Sequence, residues 1–141
     1  MAGSSRFATA VHILTLLAHE ADEALTSEHI AGSVNTNPVV IRRLLTRLAE
    51  AGLVTSTPGT TGGTRLARDA RRITLRDVFH AVESPALFGR HSQQPNPKCP
   101  VGREVVRVLD PHFDAAEEAA LGRLGRTSIS DLLKEVSRRK R

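Results

Sequence analysis

Apolar residues recur at helical spacing from the start of the chain. Phe7, Ala10, Val11, Leu14, Leu17 and Ala18 fall on one side of a helix predicted from Ser4 to Glu20, which Ser4 or Ser5 can cap. Asp22 to Leu25 reads as a short link. Thr26 or Ser27 can cap a second helix, with Glu28 in the first turn where the dipole favours an acid; this helix carries Ile30 and Ala31 and ends near Ser33. After the turn VNTN, Asn37 caps a third helix with Pro38 at its first position, where a missing N–H is no loss. Ile41, Leu44, Leu45 and Leu48 form its buried stripe, and Arg42, Arg43, Thr46, Arg47 and Glu50 fall on the opposite side. Gly52 suits the left-handed cap that ends it.

Beyond Gly52 the period shortens. Leu53, Val54 and Thr55 suit a strand, TPGTTGG a flexible turn and TRLA the returning strand, which together predict a two-stranded ribbon. Thr74 and Asp77 fit a capping box for a fourth helix buried through Leu75, Val78, Phe79 and Val82. Ser84 to Pro97 has no period and reads as a loop. From Cys99-Pro100 onward, Val101, Val105, Val108, Leu109, Phe113, Ala116, Ala120 and Leu124 keep a beat of roughly 3.5 residues, predicting a helix of about 36 Å that Pro111 should kink or restart. Thr127 or Ser128 caps a last short helix with Leu132, Leu133 and Val136, and SRRKR reads as a frayed basic tail.

The fold class expected is mainly α: a winged helix-turn-helix with a small two-stranded β-wing and a long C-terminal helix. Its predicted organisation is a DNA-binding domain over 1–83 (helix-turn-helix about 27–51, wing about 53–67), a loop over 84–99, C-terminal helices over 100–137 and a basic tail over 138–141.

Charge sharpens this picture. The 141-residue chain has a formal net charge of +5, and its distribution matters more than its size. Between His29 and Arg76 stand eight arginines (42, 43, 47, 65, 68, 71, 72 and 76) against two acids, Glu50 and Asp69, so this third of the chain carries the whole excess. A local basic field suits a polyanion. A helix of this kind fits the major groove, where arginine reads guanine with two hydrogen bonds. Asn37, Val39, Val40, Arg42 and Arg43 are the predicted groove-facing residues, with Arg47, Arg65 and Arg68 as phosphate contacts. The hairpin glycines are assigned to close approach of the wing to the duplex. The expected partner is double-stranded DNA, with no membrane, since no run of eighteen apolar residues occurs. The opening residues have the early arginine and apolar run of a leader, but their apolar positions are periodic and broken by His12 and Thr15, so the expectation is a cytoplasmic protein. One cysteine excludes an intrachain disulfide.

The run LLTRLAEAGLVTSTPGTTGGTRLARDARRITLRDVFHAVE resembles the Rrf-two family of bacterial transcription regulators, which includes the iron–sulphur-cluster biogenesis, nitric-oxide-sensitive and cysteine-metabolism regulators. The likeness continues through CPVGREVVRVLDPHFDAAEEAALGRLGRTSISDLL and so covers nearly the whole chain. It implies a homodimer, with the long C-terminal dimerisation helix and the rest of 100–137 as dimerisation helices, bound to a palindromic operator and usually repressing. Two departures stand out. Pro58 and Thr64 occupy wing positions where relatives often carry a basic residue and a tyrosine. Cluster-binding relatives hold three cysteines before the long helix, whereas this chain has Cys99 alone, at what looks like the last of those positions. A [2Fe–2S] cluster takes four ligands. Even with His12 as a conceivable partner to Cys99 the set is short, so no cofactor and no metal are expected.

Cys99 remains a candidate sensor. It lies just before a helix N-terminus and beside Lys98, a setting for an oxidisable thiol, although a leftover structural cysteine is the favoured reading. The alternatives are a winged-helix regulator with a small-molecule effector or none, and a winged helix used for protein assembly. An enzyme is not expected: no third group orients a Cys–His pair, and TPGTTGGT lacks the GK[ST] of a phosphate loop.

Overall fold

The computed structural model describes residues 4–84 and 86–139. The first residues of the predicted DNA-binding domain and the last two of the basic tail lie outside them. Among the described residues nine elements follow in order: α1 (Arg6–His19), α2 (Ser27–Val34), α3 (Pro38–Glu50), β1 (Val54–Thr57), β2 (Gly63–Leu66), a 3-10 turn (Ala70–Arg72), α4 (Leu75–Val82), α5 (Pro100–Leu124) and α6 (Ile129–Arg139).

The caps fall where the side-chain chemistry places them. Thr26 accepts from the His29 N–H, Asn37 accepts from the Val39 N–H with Pro38 opening α3, and Thr74 and Asp77 form a reciprocal capping box on α4. Ser5 precedes α1 without capping it. Gly52 takes φ +75 just past α3, a conformation that needs glycine.

The core is one aliphatic cluster. Ala10, Ile13, Leu14 and Leu17 of α1 meet Ile30 and Ala31 of α2, the Ile41, Leu44, Leu45 and Leu48 stripe of α3, and Val78 and Val82 of α4. The antiparallel ribbon pairs Val54 with Leu66 and Thr57 with Gly63. The link before α2 is more than a connector. Leu25 exchanges both backbone hydrogen bonds with Thr64, at 3.0 and 2.8 Å, which anchors the wing to the helical body. A Cβ on Gly63 would stand 2.8 Å from the Ala24 and Leu25 backbone. Gly63 is therefore required by this crossing.

Of the two outcomes expected at Pro111, a kink or a restart, the restart does not occur. Helix α5 is unbroken from Pro100 to Leu124, so Pro111 does not restart it; a proline forfeits one ladder bond, which a 25-residue helix tolerates at an exposed position. The last helix packs on α1. Its Ile129 is fully buried in the main core, and the backbone of residues 127–129 bonds to that of residues 73–75. The helix also continues to Arg139, through part of the predicted tail, with Ser128 and Asp131 as a second reciprocal cap.

The apolar beat along α5 is covered only in part by its own chain, with Val105, Leu109, Phe113 and Leu124 half-buried. Val101 is 70% exposed and Val108 62%, and the one buried residue of this helix is Glu117. Glu117 accepts from the Leu87 and Phe88 N–H groups and from Arg90 at 2.6 Å. Arg90 also reaches Asp114 at 2.9 Å, and Phe88 stacks on Phe113. The linker is thus tied to α5 midway along the helix. These contacts hold the Glu117 carboxyl below its ordinary range, chiefly through the Leu87 N–H, and raise Arg90 through Asp114 first.

Candidate nucleic-acid interface

Helices α2 and α3 are joined by a tight turn whose Asn35 takes a left-handed φ of 65. With its aliphatic stripe buried, α3 presents the rest of its surface outward. Residues about 100° apart per step put Val39, Arg43, Thr46 and Glu50 at the middle of that outer face, with Arg42 on one flank and Arg47 and Val40 on the other. Val39 and Val40 are 46% and 40% exposed, an unusual display of apolar side chains in the first turn of a helix.

The three arginines are not equivalent. Arg42 is paired with an acid from outside its own helix. Its Nη2 lies 2.6 Å from Glu28 Oε1, because α2 brings its first turn alongside α3 although fourteen residues separate the two in sequence. Arg47 leans the other way and donates from Nη1 to the Val82 carbonyl oxygen at 3.0 Å. Arg43 makes no ion pair or side-chain hydrogen bond among the described residues, and it stands at the centre of the exposed face.

On the wing, Arg65 is exposed and donates to the Ala21 carbonyl oxygen at 3.4 Å, while Arg68 is exposed beyond β2. Thr64 is buried, and its hydroxyl meets that of Ser56 at 3.1 Å. The threonine at this position therefore packs under the wing and does not face outward. Asn37 spends its side-chain carbonyl on the α3 cap, leaving its amide N–H groups for other partners. Next to the wing, Arg71 grips Asp69 at 2.7 Å. That hydrogen bond, with the Arg71 backbone N–H, lowers the Asp69 carboxyl to about 2.

A cleft of about 500 Å³ between α3 and the wing is lined by Ser27, Arg42, Thr46, Ser56 and Thr57. Sequence reasoning missed its hydroxyls as candidate phosphate donors; the signal available was a Ser/Thr at each of these positions beside a basic helix. Cys99 is exposed and forms the N-cap position of α5 without a side-chain cap bond. His12, its suggested companion, lies 2.9 Å from the Ser33 hydroxyl.

A three-helix body with a buried aliphatic core, an exposed basic third helix and an attached ribbon defines a winged-helix protein of the DNA-binding class. The comparisons with known proteins agree. The family profile Rrf2, described as "Iron-dependent Transcriptional regulator", matches residues 3–135. The chain belongs to this family of transcriptional regulators. It is 41% identical over 134 residues to YwnA of Bacillus subtilis (strain 168), provisionally named an HTH-type transcriptional regulator, covering 94% of this chain and 98% of that protein. A crystal structure described provisionally as a DNA-binding protein shares 40% identity and superposes with a TM-score of 0.75 over 92% of this chain and 99% of the other. CymR, the global cysteine regulator of B. subtilis, matches at 25% identity and a TM-score of 0.68, over 96% and 98% of the two chains. No described helix is long and apolar enough to cross a membrane.

Proposed function

We propose that this regulator acts as a cytoplasmic homodimer that places two copies of α3 in successive major grooves of a palindromic operator and represses from there. The observation that carries the reading is Arg43. It is a guanidinium at the centre of an exposed helix face, without an internal partner among the described residues, one turn after two exposed valines. Val39 and Val40 suit thymine methyl groups, Arg43 and Arg42 suit guanine edges, and the free amide of Asn37 suits a base or phosphate at the helix start. Arg65 and Arg68 lie on the wing side, where phosphate contacts position a protein without reading sequence. The uncovered Val101 and Val108 of α5 support a second copy as the partner that buries them. The reading is one of binding, without a catalytic step.

The family description mentions iron. The donors present do not fit such a group held by this chain alone: it has one cysteine, and no cluster of three His, Cys, Asp or Glu that could hold a metal occurs among the described residues. The proposal therefore involves no resident cluster. Cys99 offers another input. Exposed at the junction of linker and α5, two such thiols in a dimer can be oxidised by a peroxide to an intersubunit disulfide with release of water, shifting the helices that carry the DNA-binding domains. Cys99→Ser should then keep binding under peroxide where the wild type lets go; equal behaviour of the two leaves Cys99 structural.

The direct test is selection of bound duplexes from a random-sequence pool. The reading predicts an enriched palindrome with half-sites about 10 base pairs apart centre to centre, or a multiple of that. A pool that stays random contradicts it.

A further inference from the structure

We infer that Arg47 is a positioning residue that fastens the recognition helix to the end of α4 and so fixes the angle at which α3 meets DNA. The inference rests on the DNA-binding reading and gives Arg47 a role other than the phosphate contact its place in the basic run implies.

Arg47 stands in the last turn of α3, and its Nη1 donates to the Val82 carbonyl oxygen at 3.0 Å. Val82 is the last residue of α4 and is almost wholly buried. Carbonyls of a final helical turn have no acceptor role within the helix and form the negative end of its dipole. A guanidinium is a strong partner there, because a charged donor makes the shorter and stronger hydrogen bond. The same terminus is held from the other side. The Glu83 backbone N–H donates to the Phe79 carbonyl oxygen, and the Glu83 carboxylate pairs with Arg6 of α1 at 3.1 Å. The end of α4 is thus bracketed by cations from α3 and α1, immediately before the linker that leads to α5. Moving Arg47 to a phosphate would strip that carbonyl of its partner, which a buried polar group resists. Arg43, one turn earlier on the same helix and free of such a bond, supplies the contrast.

The test uses the full chain, a duplex selected by it from a random pool, and an unrelated duplex of equal length. Arg47→Gln is expected to weaken binding to the selected duplex about tenfold, the worth of one charge-assisted hydrogen bond. Affinity for the unrelated duplex should move less than about twofold, and the slope of log K against log salt should stay at its wild-type value, because no counterion-releasing contact is lost. Arg47→Lys, which keeps the charge without the planar fork, should weaken binding in the same way. A slope reduced by about one, the mark of a lost phosphate contact, overturns the inference, as does Arg47→Gln binding within twofold of wild type. Because both substitutions also loosen α4, a readout on the unaltered protein stands beside them. Slow guanidinium rotation at Arg47, seen by NMR as resolved Nη resonances in the DNA-free protein, supports the inference; rotation that slows only when DNA is added overturns it. If the wild type binds every duplex alike and without salt dependence, the DNA-binding reading itself falls, whatever Arg47 does.

Discussion

Arg42 of α3 and Glu28 of α2 close to 2.6 Å across the helix-turn-helix, so one arginine of the exposed α3 face is held by an acid in the free chain. Both side chains are more than half exposed, which limits the pair's worth to stability to under about 1 kcal/mol. On the proposed binding mode its larger effect is on DNA affinity. Glu28 would place a negative charge beside the duplex and compete with it for Arg42. Glu28→Gln should therefore tighten non-specific DNA binding by roughly two- to fivefold at low salt, an advantage that fades as salt screens it. A fluorescence titration at two salt concentrations checks this; weaker binding by the variant would mean that Glu28 orients Arg42 productively.

The Thr74–Asp77 capping box opens α4, the helix that carries Val82 and the linker beyond it. Thr74→Ala should lower stability by about 1 kcal/mol. Thermal melting followed by circular dichroism measures it, and an unchanged melting temperature would show the cap to be redundant with the backbone bonds that stitch residues 73–75 to residues 127–129.

Asp69 gives a pH signature. Its carboxyl sits at about 2 in the folded chain, below the ordinary value of 3.8, chiefly because Arg71 hydrogen-bonds the carboxylate. A depressed folded-state value contributes stability above the unfolded value and loses it as pH falls toward the folded one. The difference in melting temperature between wild type and Asp69→Asn should therefore be constant at neutral pH and shrink between about pH 4 and pH 2. NMR titration of the Asp69 carboxyl reads the same quantity directly, and a midpoint near 4 would contradict the Arg71 pairing.

Val108 tests the second copy. At 62% exposed, it can be replaced with little effect on the single chain. If α5 is the interface, Val108→Glu should raise the dimer dissociation constant on the order of a hundredfold, since a charge would have to be buried without a partner. Sedimentation velocity across a concentration series decides this, and an unaltered dimer would place the interface elsewhere.

Much of this fold was legible in the residues, because local chemistry governed it. Asn37-Pro38, Thr74 with Asp77, and Gly52 each satisfy a backbone requirement within a few positions, and the Ile41, Leu44, Leu45, Leu48 stripe needs only the helical period. What escaped depends on contacts distant in sequence. Glu28 finds Arg42, Arg47 finds Val82, Leu25 pairs with Thr64, and Ile129 returns to α1, none of which a periodic pattern encodes. The same limit applies to the candidate interface. Composition gathered the arginines into one segment, but the helical period alone could not say which would be turned toward neighbouring helices. Arg43 emerges as the freest of the three on α3 only after packing is known.

The most direct test of the account is a salt titration of DNA binding by wild type and Arg43→Gln on the selected duplex. The account predicts a steep fall of log K with log salt for wild type, and for the variant a loss of about 1–3 kcal/mol with relaxed preference at one base position, as a guanine-reading arginine requires. Equal affinity and equal sequence preference for the two proteins would contradict the claim that the exposed face of α3 reads DNA.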